Sequence, residues 1–286
     1  MPLLFEKTDE LTYGNFASRD FYQAFLYGDR FNIGGGTITE EEIDVIQQHP
    51  ELKRISIAGL HQDTFEYFVR TYGAQFEAIY FFKNKMVSDL SILGTLDHVE
   101  VLGYFLNQRA ERLWDMSGNK KLRLLNIDDF SRLHELNGIE KAPKLEGVCF
   151  GNKIWATSKV TRLPDLSHCS LKWICYNAHI PYKETCKFLQ IPNLESLDFP
   201  TNSYKTEFLA WISVNYPKLK GGSLRPYYVF DDGSGFICGK RKPGFDDINS
   251  EKDKKRVENA CRRFERMKQE YAGMSVENIL RIVGEE

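Results

Sequence analysis

In the segment Leu194–Asn202, LESLDFPTN, apolar side chains fall at Leu194, Leu197 and Phe199 and are followed by a polar amide, Asn202. Phe76–Asn84, FEAIYFFKN, repeats the layout with Phe76, Ile79, Phe81 and Asn84. Extending the frame gives first-position residues at Leu52, Phe76, Leu96, Leu122, Leu145, Leu171, Leu194 and Leu219, separated by 20–26 residues. A degenerate earlier copy starts at Gly28, with Phe31 and Ile33 in its apolar positions. Proline supports the register: Pro50, Pro143, Pro192 and Pro217 each stand two residues before a first-position leucine. Proline cannot continue a helix and biases the residue before it toward extended backbone. Upstream, Phe65, Phe68 and Val69, and again Phe208, Trp211 and Ile212, show helical i, i+3, i+4 spacing. Thr39 with Glu42 forms a capping box ahead of Ile43, Val45 and Ile46. Each unit therefore reads as strand, turn, helix, proline, next strand.

The flanks read differently. Residues 1–27 are expected to form an N-terminal cap, a short helix that starts at Ser18 or Asp20 and carries Phe21, Tyr22, Phe25 and Leu26. Residues 228–286 are expected to form a C-terminal cap. Its first part is a hairpin, Tyr228–Phe230 and Phe236–Cys238 around the turn residues Asp231–Gly235. A helix over 250–271 follows, with Val257, Cys261, Phe264, Met267 and Tyr271 on one face. Gly273 ends it, and Ser275 caps a last helix bearing Ile279, Leu280, Ile282 and Val283.

The L-x-x-L-x-L-x-x-N frame at such spacing resembles the strand segment of a leucine-rich repeat, over residues 28–227. The resemblance implies an α/β fold, a right-handed β-α superhelix with a parallel sheet on its concave face and short helices on its convex face. Only Asn84 and Asn202 keep the family's turn amide in this register; Tyr104, Phe130, Lys153 and His179 stand in its place elsewhere. In such a repeat, positions 1, 4 and 6 point into the core and positions 3, 5 and 7 to the concave face. The implied partner-binding residues are Tyr80, Phe82, His98, Glu100, Leu102, Asn126, Asp128, Trp173, Asn177, Asp198 and Arg225. Aromatic anchors among acids and amides suit a protein partner, and repeats of this family serve mainly as binding scaffolds.

Composition adds few constraints. A net charge of −2 argues for neither nucleic acid nor an anionic membrane as partner. No apolar run reaches the length of a membrane helix, and the first residues do not read as a signal peptide. Six scattered cysteines read as reduced thiols in the cytoplasm. Gly34–Gly36 reads as a tight turn, because no phosphate-binding motif surrounds it, and the Lys240–Lys242 triplet reads as a solvated strand end.

Candidate chemistry is thin. Cys149 and Cys175 occupy the same position of successive predicted strands, a possible metal or thiol pair to which His98, His179 or Cys186 would add a ligand. A hydrolase would have to combine His98, Glu100 and Asp128 with Ser56 or Cys149, and no nucleophile elbow or zinc-helix motif orders them. The expectation is a non-catalytic scaffold with no cofactor and no bound metal. A concave-face metal, thiol or hydrolase site is the alternative, and a peptide or small-molecule receptor a further one.

Overall fold

The computed structural model describes residues 3–4, 24–27, 36–154 and 158–284. The chain is a mixed α/β protein built on parallel strands, and it divides into two compact units, Met1–Leu171 and Lys172–Glu286.

In the first unit β1 (Leu3–Leu4) lies antiparallel to β2 (Ala24–Tyr27). From β2 onward, each strand is parallel to the next in the chain: β3 (Arg54–Ala58), β4 (Ala78–Phe82), β5 (Val101–Asn107), β6 (Leu124–Phe130) and β7 (Gly147–Gly151). The register stacks like on like. Ile55, Ile79, Leu102, Leu125 and Val148 form one row, and Ile57, Phe81, Tyr104, Ile127 and Phe150 the next, all buried. Full burial of such side chains stabilises by roughly 1.5–3 kcal/mol each, so these rows hold the unit together.

At the end of every strand from β3 to β6 stands a left-handed residue at the equivalent position: Gly59 and Lys83 just after β3 and β4, Leu106 and Asp129 at the second-last positions of β5 and β6, at φ 83°, 59°, 64° and 56°. For the three that are not glycine this costs about 1–2 kcal/mol each. The reversal turns the next residue back into the interior, where Asn84, Asn107 and Phe130 are buried. Asn84 accepts from the Leu60 amide at 2.8 Å and donates to the Ile57 carbonyl at 3.0 Å. Asn107 donates to the Val87 carbonyl at 2.8 Å and accepts from the amides of Arg109 and Ala110 at 2.9 and 2.7 Å. These amides satisfy backbone groups that a tight turn would otherwise leave orphaned.

The connections are only partly the predicted helices. α1 (Glu40–Ile43) has the expected Thr39–Glu42 capping box, and α2 (Gln62–Tyr72) buries Phe65, Phe68 and Val69. The later ones are short 3-10 turns, Ser91–Thr95, Met116–Gly118 and Ile139–Lys141. Sterics give the reason. Strands step about 4.8 Å apart while α-helices need about 10 Å, and a Cβ on Gly118 would overlap the Gly94 carbonyl, one on Gly138 the Trp114 carbonyl.

In the second unit β8 (Trp173–Asn177) runs parallel to β9 (Ser196–Asp198), with α3 (Tyr182–Phe188) between them and α4 (Thr206–Asn215) after them. A three-stranded antiparallel ribbon follows, β10 (Tyr227–Val229), β11 (Gly235–Ile237) and β12 (Gly244–Phe245), then α5 (Glu251–Tyr271) and α6 (Val276–Val283). The apolar stripe of α5 is buried, and both terminal helices pack on α4. Trp211 Nε1 donates to the Met274 carbonyl at 2.8 Å, and Asn215 bonds the Tyr271 carbonyl and the Gly273 amide at 3.0 and 2.7 Å.

Four expectations need correction. The third repeat starts at Val99, not Leu96, since Tyr80 pairs with Gly103; Val99, Leu102, Tyr104 and Asn107 then complete the frame at an even 23-residue step to Leu122. Phe25 and Leu26 lie in a strand rather than a helix, because they pair with Ser56 and Ile57; the copy expected from Gly28 and the caps at Ser18 and Asp20 fall outside the described residues. Asn202 is exposed, so it is no buried turn amide; Asn107 is. The strand expected from Leu219 is reduced to one bridge, Ser196 to Lys220.

Candidate functional site

The side of each sheet away from the buried rows carries the alternate residues of every strand. In the first unit these are Ser56 and Ala58 on β3; Ala78, Tyr80 and Phe82 on β4; Val101, Gly103 and Phe105 on β5; Leu124, Asn126 and Asp128 on β6; and Cys149 on β7. This face is mostly closed: Tyr80 and Phe105 are each 2% exposed, Asn126 fully buried and Asp128 6% exposed. Its rings pack on one another, Tyr80 on Phe82 at 6.1 Å and Phe82 stacked on Phe105 at 5.3 Å between centroids. Gly103 is required here, since a Cβ would overlap the Tyr80 ring.

One polar cluster lies in this face. Asn126 Nδ2 donates to Asp128 Oδ2 at 3.0 Å, and Lys153 Nζ stands 3.5 Å from the same oxygen and 5.7 Å from the Phe105 ring centre. The left-handed residue Asp129 positions Lys153: its carboxylate accepts the Lys153 and Ile154 amides at 2.6 and 2.9 Å and so fixes the loop that carries the ammonium. Burial pushes the Asp128 carboxyl above its usual range, against the opposing pull of Lys153 and the Asn126 amide.

Tyr80, Phe82, Asn126 and Asp128 thus share the predicted face, whereas three residues assigned to it do not. Leu102 pairs with Ile79 and points into the core. His98 and Glu100 precede β5. His98 is held at the end of α2, with Nδ1 3.1 Å from Asp97 Oδ1 and Nε2 3.2 Å from the Gly73 carbonyl, while Glu100 faces Arg123 at 3.9 Å. The cause is the same three-residue register error. It also hid Gly103 and Phe105, which the amide at Asn107 and the even spacing would have revealed.

The second unit differs. Trp173 pairs with Ser196 and Cys175 with Asp198, all four half-buried, and Asn177 is exposed at the strand end. Asp198 accepts from the Gly222 amide at 2.8 Å and from Ser196 Oγ at 2.9 Å. Arg225 is not on a strand; it is an exposed residue ahead of β10, with its guanidinium 5.6 Å above the Tyr228 ring centre.

Cys149 lies beside Asn126 in the first unit and Cys175 beside Asp198 in the second. Among the described residues no group of three or more His, Cys, Asp and Glu side chains could hold a metal ion, and no helix is long and apolar enough to cross a membrane. No protein-family model matches the chain. No curated protein matches it either.

Proposed function

We propose that this chain is a non-catalytic protein-binding scaffold of the leucine-rich-repeat kind, working in the cytoplasm, with neither nucleic acid nor membrane as partner. Its repeats of 23–26 residues from Leu52 to Leu219 would wind as a right-handed superhelix. The consecutive parallel strands, the left-handed residues at the ends of β3 to β6, and the buried amides Asn84 and Asn107 support that reading.

The observation that carries the functional part is the strand face of the second unit. There Trp173 pairs with Ser196 and Cys175 with Asp198, Asn177 ends the strand, and all of them keep solvent access. A large aromatic ringed by hydrogen-bonding groups is the composition of an interface hot spot. The closed first-unit face fits a supporting role. There Tyr80, Phe82, Asn126 and Asp128 contribute packing and a polar anchor rather than contact area.

The test is Trp173→Ala combined with Asn177→Ala in the intact protein, followed by cross-linking and affinity capture from the source lysate. The reading expects the captured partner to be lost while the melting temperature stays within a few degrees of the parent. An unchanged set of captured proteins overturns it.

A further inference from the structure

The ribbon in the second unit has two sides of opposite character. Tyr227, Val229, Ile237 and Phe245 face α5 and pack with Val257 and Ile248. The alternate residues point the other way. Tyr228 pairs directly with Phe236 across β10 and β11, and Phe230 continues the row past the strand end. The three rings form a continuous shelf, Tyr228 to Phe230 at 5.2 Å and Phe230 to Phe236 at 5.5 Å, both edge-to-face. On β12 the residue beside Phe236 is Gly244, so no side chain covers the shelf from that strand. Phe230 and Phe236 are 45% and 43% exposed, among the most exposed large apolar side chains described.

Arg225 stands at one end of this shelf, stacked on Tyr228. It is exposed, and among the described residues it makes no ion pair. An arginine resting on an aromatic face keeps its hydrogen-bonding edge presented and loses little freedom when a carboxylate arrives. An unpaired guanidinium beside exposed rings combines the residue types that dominate binding hot spots.

We propose that this shelf binds a short internal peptide segment of a partner protein, an Asp or Glu followed by one or two bulky apolar side chains. The carboxylate would pair with Arg225 and the apolar groups would cover Phe230 and Phe236. Size sets the length: a three-residue strand is about 10 Å long, the span of three or four extended residues, and is far too small for the roughly 800 Å² per partner of a stable dimer. An internal acid fits better than a C-terminal carboxylate, whose capture uses free backbone amides. The nearby Gly222 amide is already bonded to Asp198. This inference is independent of the strand-face reading, because it uses different residues and a different element.

The experiment is a library of fluorescent hexapeptides, acetylated and amidated so that only side chains carry charge, screened by polarisation against the intact protein. Binders rich in Asp or Glu next to Leu, Phe, Tyr or Trp are expected. Arg225→Glu should weaken them about tenfold or more, the loss of a charge-assisted pair, and should favour Lys or Arg at the same peptide position. Phe230→Ser with Phe236→Ser should abolish binding whatever the peptide charge, and sedimentation should find both variants as well folded as the parent. The proposal is overturned if no peptide binds, if the binders carry no acid, or if Arg225→Glu leaves affinity unchanged. It is equally overturned if the parent self-associates through this shelf and the double serine variant does not, since a second copy would then be the occupant.

Discussion

The two units use the same local device, parallel strands with alternating sides, and treat the side away from the core in opposite ways. In the first unit Tyr80, Phe105 and Leu124 fill that side and a glycine, Gly103, is spent on making room for a ring. In the second, Trp173, Ser196 and Asp198 leave it half open, and an aromatic ribbon adds further exposed surface. A sheet face is therefore not a binding surface by position alone. The difference lies in exposure: Tyr80 and Phe105 are buried, whereas Trp173, Ser196 and Asp198 are half-buried.

The sharpest way to probe this contrast is at the turns. Asn107→Ala should leave the Val87 carbonyl and the Arg109 and Ala110 amides without partners, and unsatisfied buried groups cost about 1–3 kcal/mol each. A loss of about 3–5 kcal/mol in urea denaturation is expected, against about 0.5 kcal/mol for Asn202→Ala in the second unit, where the amide is exposed. Gly103→Val comes next. Overpacking against Tyr80 should cost about 1–3 kcal/mol, while Ser196→Val, on the half-open face, should stay near 0.5 kcal/mol.

Smaller effects come from two first-unit carboxylates with opposite pH signatures. Asp128 has a raised folded-state pKa because of burial, so the folded form binds the extra proton and stability falls as pH rises from the unfolded to the folded value. Asp128→Asn should flatten that slope. Asp44 accepts from Tyr67 at 2.6 Å and Tyr72 at 2.5 Å, and those hydrogen bonds lower its pKa. Its contribution is present above the unfolded value and lost as pH falls through the folded one, and Asp44→Asn should remove that acid-side loss. Stability curves of the two variants against the parent between pH 3 and 7 check both signs.

Much of this architecture was legible in the chain, for identifiable reasons. Strands at Arg54–Ala58, Ala78–Phe82, Leu124–Phe130, Gly147–Gly151, Trp173–Asn177 and Ser196–Asp198 all sit where the apolar frame put them. Pro50, Pro143 and Pro192 marked where three of the connections ended, and the caps at Thr39 and Ser275 set two helix starts. Strand β5 was displaced because Leu96 looks like a better first position than Val99, and such a slip by an odd number of residues carries a whole set of side chains from one face to the other. The 3-10 turns were missed because their cause is a close approach between neighbouring backbones, a tertiary fact with no local signal. Whether a face is covered was equally hidden, since coverage depends on tertiary neighbours. Alternation gives the side of each residue but not its neighbour's reach.

Hydroxyl-radical footprinting of the intact protein tests the contrast most directly, because aromatic oxidation follows solvent access residue by residue. The account predicts that Trp173, Phe230 and Phe236 are oxidised several-fold faster than Tyr80 and Phe105. Equal rates for Tyr80 and Trp173 would contradict it, and would make the first unit's face as available to a partner as the second's.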